Sequence, residues 1–233
     1  MLVFSSEVIN NALASEQIPY NPNTTSRLPS HHGGEIGGSL EDLIVSLLDL
    51  GSRDAFGDIG CGRAKFLMRM KLRYQSNECF GIESDSRRLH HGIYWWIRVY
   101  IKLLQVVPNA SPYVGTRRNP SSPKIINGDF TCDSFWRRYG EFLFSSRKLK
   151  LFFNNFGGHM LHDGVQDLLE MKLNDYCQSG TVVVSLSEMF LDCKSRARWS
   201  LDSVVNHPII PGDVSWSEGG NGDEIKVFLY VKY

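Results

Sequence analysis

The chain has 233 residues, 42% of them hydrophobic, enough for one sizeable core or at most two small ones. Its 25 basic residues balance 25 acidic ones, so no global field draws in nucleic acid or membrane, and such a partner must be met by a local patch. No apolar run approaches the ~18 residues that span a bilayer, and the N-terminus lacks the basic start of a signal peptide. Five dispersed cysteines without a CxxC pair read as reduced thiols, so the expectation is a soluble intracellular protein without disulfides.

In chain order, residues 1–38 are rich in Ser, Asn, Pro and Gly and predict a short helix and a long irregular arm ahead of a single domain, 39–233. "LEDLIVSLLDL" places apolar residues at 40, 43, 44, 47, 48 and 50, a helical spacing with Ser39 as its expected N-cap. Short apolar runs then alternate with longer amphipathic ones. "DAFGDIG" precedes "RAKFLMRMKLRY", and "ECFGIE" precedes "SRRLHHGIYWWIRVYIKLLQVV". After a surface excursion with four prolines (Pro108 to Pro123) come "KIING", the helical "SFWRRYGEF", "LKLFFNN", the helical "HDGVQDLLEMKLNDYC" and "GTVVVSL". Strand then helix, repeated, predicts a mostly parallel sheet covered on both faces. "GDVSWSEGGNGDEIKVFLYVKY" reads as two strands around a Gly/Asn turn, an antiparallel pair closing the sheet.

Chemistry concentrates at the strand ends. In "FGDIGCGRAKF" a strand ends at Asp58, and Gly60 and Gly62 turn the chain into a basic amphipathic helix. Glycines there let backbone amides approach a ligand at the positive end of the helix. Lys65 stands where a dinucleotide site needs its third glycine, and an acid just before the loop suits an ammonium group better than a pyrophosphate. Glu83 ends the next strand, 25 residues on, where a carboxylate can accept hydrogen bonds from both hydroxyls of a ribose. Asp129 follows the third strand and can accept from an adenine amine, with the Phe130 ring beside it for stacking. A single strand-end acid is more often a helix cap. Three behind one glycine loop describe a pocket for adenosine plus an amino acid, which is S-adenosyl-L-methionine. "LFFNNFGG" ends the fourth strand beside that pocket, and Asn154 can accept a hydrogen bond from an incoming amine while a ring excludes water. A neutral amide does not hold a lysine in its ammonium form, and burial disfavours that charge.

These motifs resemble, in order from about Gly33 to the C-terminus, the disruptor-of-telomeric-silencing family of non-SET histone lysine methyltransferases. "GGEI" is similar to that family's YGE loop, "DIGCG" to DLGSG, "GIE" to GVE and "NGDF" to RGDF. "FNNFGG" is similar to VNNFAFG, "VSLSEMF" to VSSKPF and "DVSWSE" to SVSWTG. The resemblance implies a class I methyltransferase fold, Rossmann-like α/β, with a mostly parallel seven-stranded sheet, a C-terminal antiparallel hairpin and helices on both faces. It implies S-adenosyl-L-methionine bound by Gly34, Glu35, Ile36, Asp58, Gly60, Gly62, Lys65, Glu83, Asp129 and Phe130. Asn154 is then the catalytic residue, with Phe156 and Trp216 in the lysine channel. The chain departs from the pattern at Gly33 (family Tyr), Lys65 (family Gln) and Ser187 (family Lys).

The implied activity is methylation of a lysine in the globular domain of the third core histone within nucleosomes, in the nucleus. Arg117, Arg118, Lys194, Arg196 and Arg198 are the candidates for contact with DNA phosphate. Alternatives are methylation of another amine, on a nucleic-acid base or a non-histone protein, and a cofactor-binding scaffold without transfer activity. His159 and His162 with Asp163 lack a third ligand and read as exposed loop histidines, so no metal is expected. "YWWIRVYIKLL" reads as a core-facing helix surface, and the basic residues Arg63, Lys65, Arg69, Lys71 and Arg73 as a solvated one.

Overall fold

The computed structural model describes residues 36–51, 53–74, 78–106, 123–154, 164–209 and 224–233. Its strands are β1 (Ala55–Ile59), β2 (Glu78–Glu83), β3 (Lys124–Asn127), β4 (Leu149–Phe153), β5 (Val182–Ser185), β6 (Trp199–Pro208) and β7 (Glu224–Lys232). Its helices are α1 (Gly38–Leu48), α2 (Lys65–Tyr74), α3 (Ser86–Val106), α4 (Asp133–Phe144), α5 (Val165–Tyr176) and α6 (Cys193–Arg196). The strands form one sheet in the order β3-β2-β1-β4-β5-β7-β6. β1 to β5 are parallel, and β7 runs antiparallel to both β5 and β6. This is the Rossmann-like class I methyltransferase architecture expected from the sequence.

Period-two alternation decides which helix each strand residue meets. Phe56, Phe152, Val184 and Val227 join α1 and α2 in one apolar cluster. Their neighbours Ala55, Leu151, Phe153 and Val183 join α4 and α5 in the other. A strand buried on both faces carries no polar alternation, which is why "AFGDI" and "LKLFF" read as near-continuous apolar runs.

Two lysines are recruited into this scaffold. Lys150 Nζ, on β4, donates to the Leu48 carbonyl at 2.9 Å and so caps the end of α1. Lys232 Nζ, at the end of β7, donates to the carbonyls of Leu173 (3.2 Å), Asn174 (2.7 Å) and Cys177 (2.7 Å), which close α5. Both place positive charge where the helix dipole is negative and carbonyls lack partners.

Several expectations need correction. α1 starts from Gly37 with no side-chain cap, and Ser39 Oγ instead meets His207 Nε2 on β6 at 3.1 Å. The hairpin's first strand is Trp199–Pro208, upstream of the expected "GDVSWSE", which lies outside the described residues. That edge strand is half exposed, and a register shift between Leu201 and Ser203 breaks its alternation, so its apolar signal is weak. Of "YWWIRVYIKLL" on α3, Tyr94, Ile97 and Ile101 are exposed rather than core, because this helix covers the end of the sheet, where β3 has only four residues. The basic face of α2 is not all solvated. Lys71 is buried, and Arg69 pairs with the buried Glu41 of α1, which lies over it. Most of the N-terminal arm, most of the proline-rich excursion and His159 and His162 lie outside the described residues.

Replacing Lys232 by Met is expected to leave the α5 carbonyls without a donor and to lower stability by about 2 kcal/mol. Urea unfolding of the two proteins measures this, and an unchanged midpoint and slope would remove the capping role.

Candidate active site

β1 and β4 lie side by side, with β2 and β3 beyond one and β5 beyond the other. The chain therefore leaves β1 and β4 in opposite directions and opens a crevice at their C-terminal ends, where open α/β sheets bind ligands. Asp58, the Gly60–Gly62 loop, Glu83, Asp129 and Asn154 are all brought to this edge.

The glycine loop is held from below. The amides of Gly60 and Cys61 both donate to the Ile82 carbonyl at 2.9 Å, which folds the loop over the end of β2. Ala64 N–H donates to the Cys61 carbonyl at 2.7 Å and tightens the turn into α2. Gly60 and Gly62 have φ of +75° and +55°, a left-handed conformation in which a side chain is strained. A Cβ on either would meet no atom within 4 Å, so both backbones face open space.

Two buried carboxylates flank this loop. Glu83 Oε2 accepts from Gly62 N–H and Oε1 from Asp85 N–H, both at 2.9 Å. Asp85 Oδ1 in turn accepts from Arg87 N–H at the start of α3. Asp58 is 3% exposed. Burial, then the negative charge of Glu83, pushes its carboxyl up to about 8, so it holds its proton at neutral pH. Among the described residues no Lys, Arg or His pairs with either carboxylate. An ammonium group with vicinal hydroxyls suits this pair: a cation beside Asp58 would draw it into its carboxylate form, and each Glu83 oxygen keeps a second lone pair.

The other expected residues are more mixed. Asp129 is exposed, and its Oδ1 accepts from Thr131 N–H (2.8 Å) and Thr131 Oγ1 (2.6 Å), which holds the turn into α4. The Phe130 ring is buried edge-on to Phe153 at 6.2 Å, part of the core rather than an exposed stacking surface. Lys65 opens α2 and is half-buried, and Asn154 is half-buried just past β4. Ile36 packs in the apolar cluster with α1. Gly34, Glu35, Phe156, Trp216, Arg117, Arg118 and the Lys194 side chain lie outside the described residues. Arg196 and Arg198 are exposed, but beside Trp199 and Lys232 at the start of β5, the opposite edge of the sheet from the crevice.

Sequence reading missed how the segment after β5 is held. Gln166 Nε2 on α5 donates to the Glu188 carbonyl (2.7 Å) and to Glu170 Oε1 (2.9 Å). Met189 N–H donates to the Tyr230 hydroxyl at 2.9 Å, and Ser185 Oγ donates to the Ser187 carbonyl at 2.8 Å. Phe190 takes a φ of 57° and stacks on Trp199 at 4.3 Å. Gln166 and Glu170 sit four apart on a helix, but only the fold shows that both are buried.

No protein-family model matches the chain, and no curated protein sequence matches it. Solved structures do. An RNA methyltransferase from Salinibacter ruber, in complex with S-adenosyl-L-homocysteine, is 16% identical, with a TM-score of 0.51 over 85% of this chain and 92% of that one. TrmN from Thermus thermophilus is 13% identical, with a TM-score of 0.51 over 83% of this chain and 48% of that one. At these identities the likeness shows the fold.

The raised Asp58 carboxyl fixes a pH dependence of the ligand-free protein. Its folded value lies above the unfolded one, so its contribution is complete at low pH and is lost as pH rises from about 4 to about 8. Stability is expected to fall across that window by roughly 1 kcal/mol per pH unit from this group, and Asp58→Asn to flatten the fall. Urea midpoints at pH 5, 6, 7 and 8 test it, and parallel profiles for the two proteins would refute it.

Proposed function

We propose that the chain is an S-adenosyl-L-methionine-dependent methyltransferase acting on an amine nitrogen. The carrying observation is the pair of buried acids, Asp58 and Glu83, around a glycine loop on a class I methyltransferase fold. The fold neighbour from Salinibacter ruber holds the demethylated form of this cofactor, which supports the assignment. When bound, the cofactor supplies an electrophilic methyl group on a sulfonium centre. Asp58 binds its ammonium group, Glu83 its ribose hydroxyls and Asp129 its adenine amine, with Gly60 and Gly62 leaving room for close approach. The motif resemblance also assigns Gly34, Glu35 and Ile36 to the cofactor, and Lys65 borders it at the start of α2. Asn154 accepts a hydrogen bond from the incoming amine and orients its lone pair, while Phe156 and Trp216 keep water out. Orientation of this kind is worth about 7–11 kcal/mol of barrier.

For the acceptor, an amine on an RNA base or on a protein other than a histone stands ahead of the narrower reading. The Salinibacter neighbour is an RNA methyltransferase, and an amide followed by a ring serves a base amine as well as a lysine. The narrower reading, a lysine of the third core histone in nucleosomes, rests on the motif resemblance and brings a nuclear location with it. Its DNA contacts would fall to Arg117 and Arg118, since α6, which carries Lys194 and Arg196, and Arg198 after it sit at the far edge of the sheet.

The test is label transfer from methyl-labelled cofactor to total RNA, free histones and nucleosomes in parallel. Label on RNA alone supports the first acceptor class and label on nucleosomes alone the second. No binding of S-adenosyl-L-homocysteine would overturn the cofactor assignment itself. Glu83→Ala is expected to weaken that binding by about 1.5–3 kcal/mol, the worth of hydrogen bonds to a charged group. Asn154→Ala is expected to keep the cofactor and lose about a hundredfold in transfer rate. Normal turnover in a folded Asn154→Ala protein would take Asn154 out of the chemistry.

A further inference from the structure

α3 carries a glycine in its interior, Gly92, where helix propensity argues against one by about 1 kcal/mol relative to alanine. The structure gives the reason. A Cβ on Gly92 would lie 2.3 Å from the Arg63 carbonyl oxygen, 2.8 Å from its carbonyl carbon and 3.2 Å from its Cα. All three are backbone atoms, so no rotamer change relieves the clash. Arg63 sits in the glycine loop between Gly62 and Ala64, both at positive φ, and Gly62 N–H is the donor to Glu83 Oε2. The loop is thus bounded behind by the backbone of α3, while the Cβ directions of Gly60 and Gly62 meet nothing within 4 Å.

We infer that Gly92 is a positioning residue for the cofactor site: by having no side chain it lets α3 lie against Arg63, and that contact sets where the loop presents Gly62 and Glu83 to the ligand. The inference rests on the cofactor reading for its ligand but not for its geometry. A methyl group at 92 pushes Arg63 toward the open side and draws Gly62 N–H away from Glu83. Helix propensity acts the other way, so α3 itself gains from alanine. Helix propensity offsets only part of the strain of that contact, so stability falls modestly while ligand affinity falls by more, a disproportion that a merely structural glycine would not produce.

A second helix glycine provides the control. Gly140 of α4 is as crowded, its Cβ position lying 2.6 Å from the Tyr176 ring, but it lies in the α4–α5 contact away from the loop. In ligand-free ¹⁵N-labelled protein, Gly92→Ala is expected to speed amide exchange at Gly62, and Gly140→Ala to leave it unchanged. With S-adenosyl-L-homocysteine as probe, Gly92→Ala is expected to weaken binding about tenfold or more, the loss of one hydrogen bond to a charged group. Gly140→Ala is expected to lower the melting temperature without that loss. Adding Ala64→Gly to Gly92→Ala relaxes the loop and should recover part of the affinity. Unchanged Gly62 exchange in Gly92→Ala overturns the proposal whatever the protein binds. So does an affinity loss that merely follows the melting temperature in both glycine variants. A wild-type protein that binds no probe overturns the cofactor reading instead, and the exchange result then decides on Gly92 alone.

Discussion

The constraint on which the site depends is the burial of two carboxylates at the ends of adjacent strands. Moving a charged carboxylate out of water without a partner is prohibitive, so a buried acid must be bonded, paired or neutral. Glu83 takes the first course, with a backbone amide on each oxygen. Asp58 takes the third and keeps its proton. The first solution needs the glycine loop where it is, since Gly62 supplies one of the amides. A ligand cation converts the arrangement into the second course.

The same electrostatics organises the molecule from edge to edge. Helices that return antiparallel to parallel strands end at the edge where the strands begin, and begin where the strands end. The structure matches charge to that polarity. Lys150 and Lys232 meet the carbonyl ends of α1 and α5 at one edge. Asp85 and Asp129 serve the turns into α3 and α4 at the other, with Glu83 beside them. The acidic edge is the one with the crevice. The dipole that suits acids at helix starts therefore gathers carboxylates along that crevice.

How much of this was legible follows from burial. The central strands β1, β4 and β5 are covered on both faces, so "AFGDI", "LKLFF" and "VVVS" declared themselves without reference to their partners. The strand-end acids were legible because motif order places them, and the sheet order confirms that they share an edge. The half-exposed edge strand β6 was not legible, because a bulge and polar residues hide its alternation. Nor was the outer face of α3, where an apolar helical stripe gives no sign of whether anything covers it. Contacts between distant segments were least accessible. The acceptors of Lys232 are 55 to 59 residues away, and Gly92 meets Arg63 only through the fold. Phe130 shows the converse, a residue whose motif position was clear while its ring went to the core.

The central claim is that Asp58 waits, protonated, for a cation. Calorimetric titration of S-adenosyl-L-homocysteine at pH 7, repeated in buffers of different ionisation enthalpy, measures the protons exchanged on binding. The expected result is release of about one proton per ligand, as the ammonium group draws Asp58 into its carboxylate form, with that release absent in Asp58→Asn. Binding with no proton released by the wild-type protein would contradict the account.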